Sequence, residues 1–412
     1  MEGYPDVHHP NRDQIARIFA SQTELNIKFN SGIFFHNIVF GVELSREEID
    51  RYGYNVTNCF DGQTPAANPP CSIAGLNPRP FPGGLNDPTF TDRVLGKGNV
   101  YNATVDTAAF YVTDTIRLSK EWSVNFGARW DDFTRDQIGG TGANGLADPA
   151  AATAKVHADL FSWHGGILYK PSPISSFYLA YATSQSPIGS ELDSNGAQYN
   201  GLSATLVNVP PQEARSLEIG TKWLLFDEKL LATAAWFQTE VENARTNDNV
   251  TPTDPTNAFK GKYRVQGIEL GAAGNITKEW SVYGGLVLVD TEVLASSNAQ
   301  DIGRRLANIP LVQFSLLQRY QLTDKLAIAG PATYAGEIYG GHLAANQFDN
   351  HTVDWWRFDA FAEYKLTSGI DLKVSVLNLS DELYYDAIYQ AKESFAFVAP
   401  GRAGYLTIRF RN

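Results

Sequence analysis

Trp122-Ser123-Val124-Asn125-Phe126-Gly127-Ala128-Arg129-Trp130-Asp131 alternates without a break, with apolar side chains at the even positions and small or polar ones at the odd. An extended strand sends successive side chains to opposite faces, so this stretch reads as a strand with one wholly apolar face and one polar face. Upstream, Phe110, Val112, Ile116 and Leu118 interleave with Tyr111, Thr113, Thr115 and Arg117. Further upstream His36, Ile38, Phe40, Val42 and Leu44 alternate with Asn37, Gly41 and Glu43, and Thr23, Leu25, Ile27 and Phe29 with Glu24, Asn26 and Lys28. The pattern returns at Ile370, Leu372, Val374 and Val376, and in the last run at Leu406, Ile408 and Phe410. About fifteen such strands can be traced, each long enough for the roughly 9 to 11 tilted residues that cross a bilayer.

The connections decide between a soluble sandwich and a membrane barrel. Tight polar turns lie at Asn30-Ser31-Gly32, Lys120-Glu121, Pro171-Ser172-Pro173, Asp227-Glu228-Lys229, Thr323-Asp324-Lys325 and Ser368-Gly369. Between these hairpins run long connections, expected over 46–104, 133–153, 185–211, 244–259, 292–306, 337–352 and 382–400. Short turns on one rim and long loops on the other are the asymmetry of outer-membrane barrels, whereas a soluble domain rarely carries so many long loops. The expectation is an all-β, transmembrane antiparallel β-barrel, with Trp122, Trp130, Tyr169, Trp223, Trp280, Trp355 and Trp356 anchoring it at the headgroup levels. Antiparallel closure needs an even number, although odd closure with one parallel pair does occur, so the odd strand count points to strands missing on the N-terminal side.

Composition excludes several function classes. The 23 Phe, 19 Tyr and 8 Trp with a single Met favour strands over helices, and no run approaches a transmembrane helix. The net charge of -12 is spread along the chain without a basic stripe, so nucleic acid is not an expected partner. The first residues, Met1-Glu2-Gly3-Tyr4-Pro5-Asp6, lack the charged and apolar regions of a secretory signal, so an exported chain would be a mature piece or a fragment. The only cysteines, Cys59 and Cys71, share one polar, Pro-rich segment. In an oxidising compartment a disulfide closing a small loop is favoured over two free thiols.

Among the seven histidines only His8-His9 are adjacent, and no spacing supplies three or four convergent metal ligands, so no metal is expected. Acidic pairs such as Asp131-Asp132, Glu47-Glu48 and Asp381-Glu382 read as solvated rim charges. Ser-His-Asp chemistry, as in a barrel phospholipase, would need a nucleophile held beside a base by geometry that spacing cannot establish. With no nucleophile elbow and no Gly-rich phosphate loop, an enzyme is not expected.

Motifs in the second half add a resemblance. Pro211-Gln212-Glu213 leads into Glu218-Ile219-Gly220-Thr221-Lys222-Trp223, then Phe226-Asp227 and the strand from Leu230 to Phe237. Glu242-Asn243-Ala244-Arg245-Thr246, Gly267-Ile268-Glu269-Leu270 and Val376-Leu377-Asn378-Leu379-Ser380-Asp381-Glu382-Leu383-Tyr384-Tyr385 follow, with Pro400-Gly401-Arg402 opening the last strand. In this order they resemble the barrel of TonB-dependent outer-membrane siderophore receptors, catecholate receptors being the nearest subgroup. The resemblance spans most of the chain from about Val105 onward.

It implies a 22-stranded barrel, of which residues 1–412 would form a partial wall domain corresponding to the C-terminal part, with the plug domain and TonB box absent. It also implies a bacterial outer-membrane location and a wall for ferric siderophore uptake, the ferric siderophore being transported ligand rather than cofactor. Expected partners are outer-membrane lipid, the siderophore, the TonB complex only through the missing plug, and the outer-membrane assembly machinery, the chain acting as a monomer. The family's terminal aromatic residue is here Phe410, followed by Arg411 and Asn412, a departure that bears on assembly. An anionic ferric siderophore would be drawn to cations and rings on the long-loop rim, for which the candidates are Arg51, Tyr52, Tyr54, Tyr199, Tyr339, His342 and Trp355. A passive outer-membrane channel or structural barrel is the alternative reading.

Overall fold

A computed structural model of the chain describes residues 12–60, 90–139, 153–192, 202, 207–245, 260–341, 344–345, 350–389 and 395–411. The strands are β1 (Arg12–Ser31), β2 (Phe34–Phe60), β3 (Phe90–Arg117), β4 (Trp122–Ile138), β5 (Ala154–Ser172), β6 (Ser175–Ser186) and β7 (Gln212–Leu225). There follow β8 (Leu230–Ala244), β9 (Gly261–Asn275), β10 (Trp280–Ala295), β11 (Val312–Gln321), β12 (Leu326–Ala335), β13 (Ile338–Tyr339) and β14 (His351–Thr352). The chain ends with β15 (Trp355–Phe358), β16 (Ala360–Lys365), β17 (Ile370–Leu377), β18 (Tyr385–Tyr389), β19 (Phe395–Val398) and β20 (Ala403–Phe410).

Sixteen of these strands form one antiparallel sheet in sequence order. β15 and β16 pair in series with the same neighbour, β12, so the wall is fifteen columns wide, as the sequence indicated. Among the described residues, β1 and β20 each have one partner only.

Registered partners share a face, which lets one row be followed through the wall. Phe29, His36, Ile116, Val124, Ile167, Leu179, Ile219, Trp236, Ile268, Leu288 and Val312 are successive partners from β1 to β11. This is the outward face, where Phe126, Phe161, Trp236, Leu270 and Phe410 are exposed. A soluble protein would not leave so continuous an apolar surface bare; lipid covers it. Rings stack at its edges, with centroids 4.4 Å apart for Trp122 and Tyr169 and 6.1 Å for Phe110 and Trp130. Trp355 departs from the expected girdle: it has the opposite parity to Trp356 in β15, faces inward, and packs 4.3 Å from Tyr384.

Above the apolar band the same face turns charged while the hydrogen-bonded ladder continues. Arg46 pairs with Asp106 at 2.7 Å, Arg17 with Asp50 at 2.6 Å and Arg264 with Glu292 at 2.7 Å. The described parts of the long connection expected over 46–104, residues 46–60 and 90–104, are therefore strand. β2 and β3 stay in register from Phe35 opposite Arg117 to Phe60 opposite Phe90, with two irregularities. The apolar alternation ends at Leu44 because lipid ends there, not because the strand does.

The inward face is polar and small. Gly41 and Gly220 are required by close approach: a Cβ on Gly41 would stand 1.9 Å from Cζ of Tyr111, and one on Gly220 2.4 Å from Cζ of Tyr178. Each ring lies across its neighbouring strand and fills the space that the glycine leaves.

Candidate ligand-facing rim

Several of the acidic pairs anticipated as solvated rim charges also hold partners. Asp131 faces inward and holds Arg129 at 2.7 Å, with Glu43 on the same guanidinium at 3.0 Å. Asp132 faces outward towards His157 at 3.7 Å. Asp132, His157 and Asp159 are a group whose donor atoms lie within 4.8 Å of one another, a convergence across β4 and β5 that spacing did not show. It is on the lipid side of the wall, above the apolar band, and largely exposed.

On the inward side of β2 to β5, near the long-connection rim, the segment leading from β6 to β7 folds against the wall. Ile188, Leu202 and Val209 from that segment pack on Val105, Phe133, Val156 and Leu160. Ile49, Tyr101 and Ala103 form an adjoining cluster touched by Leu192. Burying roughly this many aliphatic side chains is worth several kcal/mol, at about 1.5–3 kcal/mol each.

Arg135 sits at the centre of this contact, with no exposed surface. Its Nη1 donates to the carbonyl oxygens of Gly189 and, at 2.8 Å, Glu191. Its Nη2 donates to the Tyr101 hydroxyl and, at 2.8 Å, to Oε1 of Gln137. Gln137 Nε2 in turn donates to the Leu202 carbonyl at 3.2 Å, and the Tyr101 hydroxyl donates to the Leu192 carbonyl at 2.9 Å. Burial pulls the Arg135 guanidinium below its ordinary value, and Tyr101 partly offsets it. At the end of β8, burial brings Arg245 down to about 10, opposed by Glu191 and Tyr263. Arg135 is thus sealed beneath the β6–β7 segment, whereas Arg245 is only half-buried at the inner rim.

Of the candidate ligand residues, Arg51 joins this cluster directly: its guanidinium lies 4.7 Å from the centre of the Tyr101 ring. Tyr52 and Tyr54 continue along β2, on backbone alone. Tyr199, His342 and Cys71 lie outside the described residues. Tyr339, in the small β13–β14 pair, is covered by Arg305 at 3.3 Å and stacked on His351 at 4.8 Å. Trp355 forms a further group with Tyr384, whose hydroxyl accepts from Arg357 Nη1 at 3.2 Å. Arg135 and Arg305 were not singled out from the sequence, and Arg245 only as part of a motif, not as a ligand residue. Only the register and the folded-in segment reveal them.

The segment Asn378 to Tyr385 proves to be a corner lock. Asn378, in a left-handed conformation at φ 51°, is buried and takes the Glu382 N–H at 2.8 Å on Oδ1 while its Nδ2 donates to the Glu382 carbonyl. Its own N–H donates to Asp359 Oδ1 at 2.8 Å, at the break between β15 and β16. Asp381 then receives the Arg402 N–H at 2.9 Å, which fixes the start of β20.

With that corner and the wall in place, the family model described as TonB dependent receptor-like, beta-barrel matches residues 4–379. The chain belongs to this family. Among relatives of the TonB-dependent receptor barrel, the chain is 32% identical over 410 residues to the probable TonB-dependent siderophore receptor PiuA of Acinetobacter baumannii, covering 95% of this chain and 52% of that protein. It is 31% identical over 394 residues to the catecholate siderophore receptor Fiu of Escherichia coli K12, covering 92% of this chain and 49% of the relative. The crystal structure of the A. baumannii receptor PiuA superposes with a TM-score of 0.80 at 28% identity, over 97% of this chain and 56% of that one. The closed form of the E. coli receptor Fiu gives 0.74 at 28% identity, over 97% and 55%. The chain thus spans about half the length of the curated relatives it matches. As in its family, this barrel wall resides in the outer membrane, its apolar band in lipid.

Proposed function

We propose that this chain is the wall of a receptor for a ferric siderophore of the catecholate class, taken up with energy delivered by a TonB complex to a plug seated in the lumen of the whole protein. Residues 1–412 are then one wall domain, monomeric, placed in lipid by the outer-membrane assembly machinery, with the long-connection rim extracellular. Cys59, next to the last residue of β2, and Cys71, in the sequence between β2 and β3, close a disulfide. The reading is carried by likeness over more than nine-tenths of the chain to proteins described as siderophore receptors, one of them for catecholates. A rim that carries Arg51, Arg245 and Arg305 with Tyr339 and Trp355 supports it, because a ferric catecholate is anionic and aromatic at once, while the sealed Arg135 and Tyr101 hold the β6–β7 segment against the wall. Tyr52, Tyr54, Tyr199 and His342 complete the proposed contacts.

Titrating the chain in detergent with ferric tris-catecholate, read by tryptophan quenching, tests this. Saturable binding about tenfold tighter than that of a neutral ferric hydroxamate is expected, weakened several-fold by Arg51→Ala or Arg305→Ala. Equal affinity for the two complexes would sink the catecholate assignment.

A further inference from the structure

The lipid-facing band holds one polar constellation that the receptor reading does not use. From the short-turn rim up to Trp130, Trp163, Tyr181 and Trp236, the described outward side chains are almost all apolar, small or aromatic. Tyrosines aside, His36 and Asp114 are the ionisable ones. Ionisable groups at membrane depth are costly, and where they persist they pair and carry function.

These two are paired, and a hydroxyl completes the set. Ser31 Oγ lies 2.8 Å from His36 Nε2, and His36 Nδ1 lies 2.7 Å from Asp114 Oδ2. Three elements converge here: Ser31 ends β1, His36 opens β2 and Asp114 is near the end of β3. The imidazole is stacked flat on Phe29, with centroids 4.8 Å apart and planes 6° from parallel, so its two nitrogens are held towards Ser31 and Asp114. The hairpin Ser31 to Phe34, with Gly32 at φ 64°, leaves the N–H groups of Gly32 and Ile33 without a backbone acceptor among the described residues. Nothing stands within 4 Å of a Cβ placed on Gly32. Beside it, Ile33 is 85% exposed and Phe34 39%, apolar side chains that enter lipid next to the hydroxyl.

We propose that Ser31, His36 and Asp114 form a hydrolytic triad acting on acyl esters of membrane lipids at the short-turn rim. That height on the wall is the boundary between acyl chains and headgroups, where lipid ester carbonyls lie. Ser31 Oγ attacks the carbonyl carbon as its proton passes to His36 Nε2, and the Gly32 and Ile33 N–H groups are the donors nearest the developing oxyanion. The C–O bond to glycerol breaks, the imidazolium returns its proton to that oxygen, and the lysolipid leaves an acylated Ser31. Water then attacks the acyl carbon, giving its proton to His36, and the fatty acid departs as Ser31 recovers its proton. Asp114 is a positioning residue that holds the imidazole and balances its charge.

The test uses the 412-residue chain reconstituted in phospholipid vesicles. A fluorophosphonate probe should label Ser31, read by peptide mass spectrometry, and a fluorogenic diacyl phospholipid should be hydrolysed. Ser31→Ala and His36→Asn should lower turnover by about 10³-fold or more. Asp114→Asn should slow labelling at unchanged strand content, and Asp114→Glu should restore part of it, which a purely structural acid would not do. No label on Ser31 of the unaltered chain, or hydrolysis that survives Ser31→Ala, would overturn the proposal whether or not the variants fold.

Discussion

The outward and inward faces of the same strands obey different rules. Outward, each position from Trp122 to Trp130 is set by its solvent alone: lipid demands an apolar side chain, and the period of two repeats strand after strand. Inward, each position is set by a particular neighbour. Gly220 exists because Tyr178 lies over it, Arg129 because Asp131 and Glu43 receive it, and Arg135 because a segment more than fifty residues away supplies carbonyl oxygens. A face made by solvent tolerates exchange within one chemical class, whereas a face made by partners tolerates little.

The sharpest way to break this contrast is to place one charge on each face of one strand. Phe126→Arg, in the middle of the apolar band, should cost about 2–4 kcal/mol in reversible unfolding from lipid vesicles. Asn125→Arg, one residue away and facing the lumen, should cost a small fraction of that. Next in size is Arg135→Ala, which strands several buried carbonyls and should weaken the docking of the β6–β7 segment by about 2–3 kcal/mol. Faster protease cleavage within 187–209 at unchanged wall stability would register it. Gly220→Ala should cost about 1–3 kcal/mol through overpacking against the Tyr178 ring. The double variant with Tyr178→Ala should recover part of this, giving a clear coupling in a mutant cycle.

The smallest effect concerns pH. Above the apolar band Arg46 holds the Asp106 carboxyl below its ordinary value, Arg17 and Asn102 do the same for Asp50, and Lys262 for Glu242. A carboxyl whose pKa is depressed in the fold contributes stability above its unfolded value, near 4, and loses it as the pH falls through the lower folded value. Stability should therefore be level from neutrality down to about pH 5 and decline gently below about pH 4. These pairs are exposed and screened, so 0.5 M salt should flatten the decline.

The division between faces also explains what was legible in the sequence. The strands, the tight turns and the wall's width follow from alternation, because lipid writes the same pattern wherever it touches. β2 and β3 beyond Arg46 could not be read, since the outward residues there become Arg46, Glu48 and Asp106 while pairing continues through the backbone. The inner rim was half visible: Arg51 and Tyr339 have the chemistry of a loop site, and the fold sets Arg51 against Tyr101 and Tyr339 beneath Arg305. Arg135 looked like any strand arginine until the β6–β7 segment covered it. Ser31, His36 and Asp114, separated by up to 83 positions, meet only through the register of three strands. The Asn378 segment was legible as a motif, but its job as a corner lock needed Asp359 and Arg402 in space.

Site-directed spin labels along β4 at residues 123 to 131, omitting Gly127 whose Cβ would meet His164, address the wall itself. In lipid vesicles, labels at Val124, Phe126, Ala128 and Trp130 should collide readily with dissolved oxygen, and those at Ser123, Asn125, Arg129 and Asp131 with a water-soluble nickel complex. Strict alternation of the two accessibilities is the result expected of a membrane-spanning barrel wall. Uniform accessibility to the nickel complex at both sets of positions would contradict it.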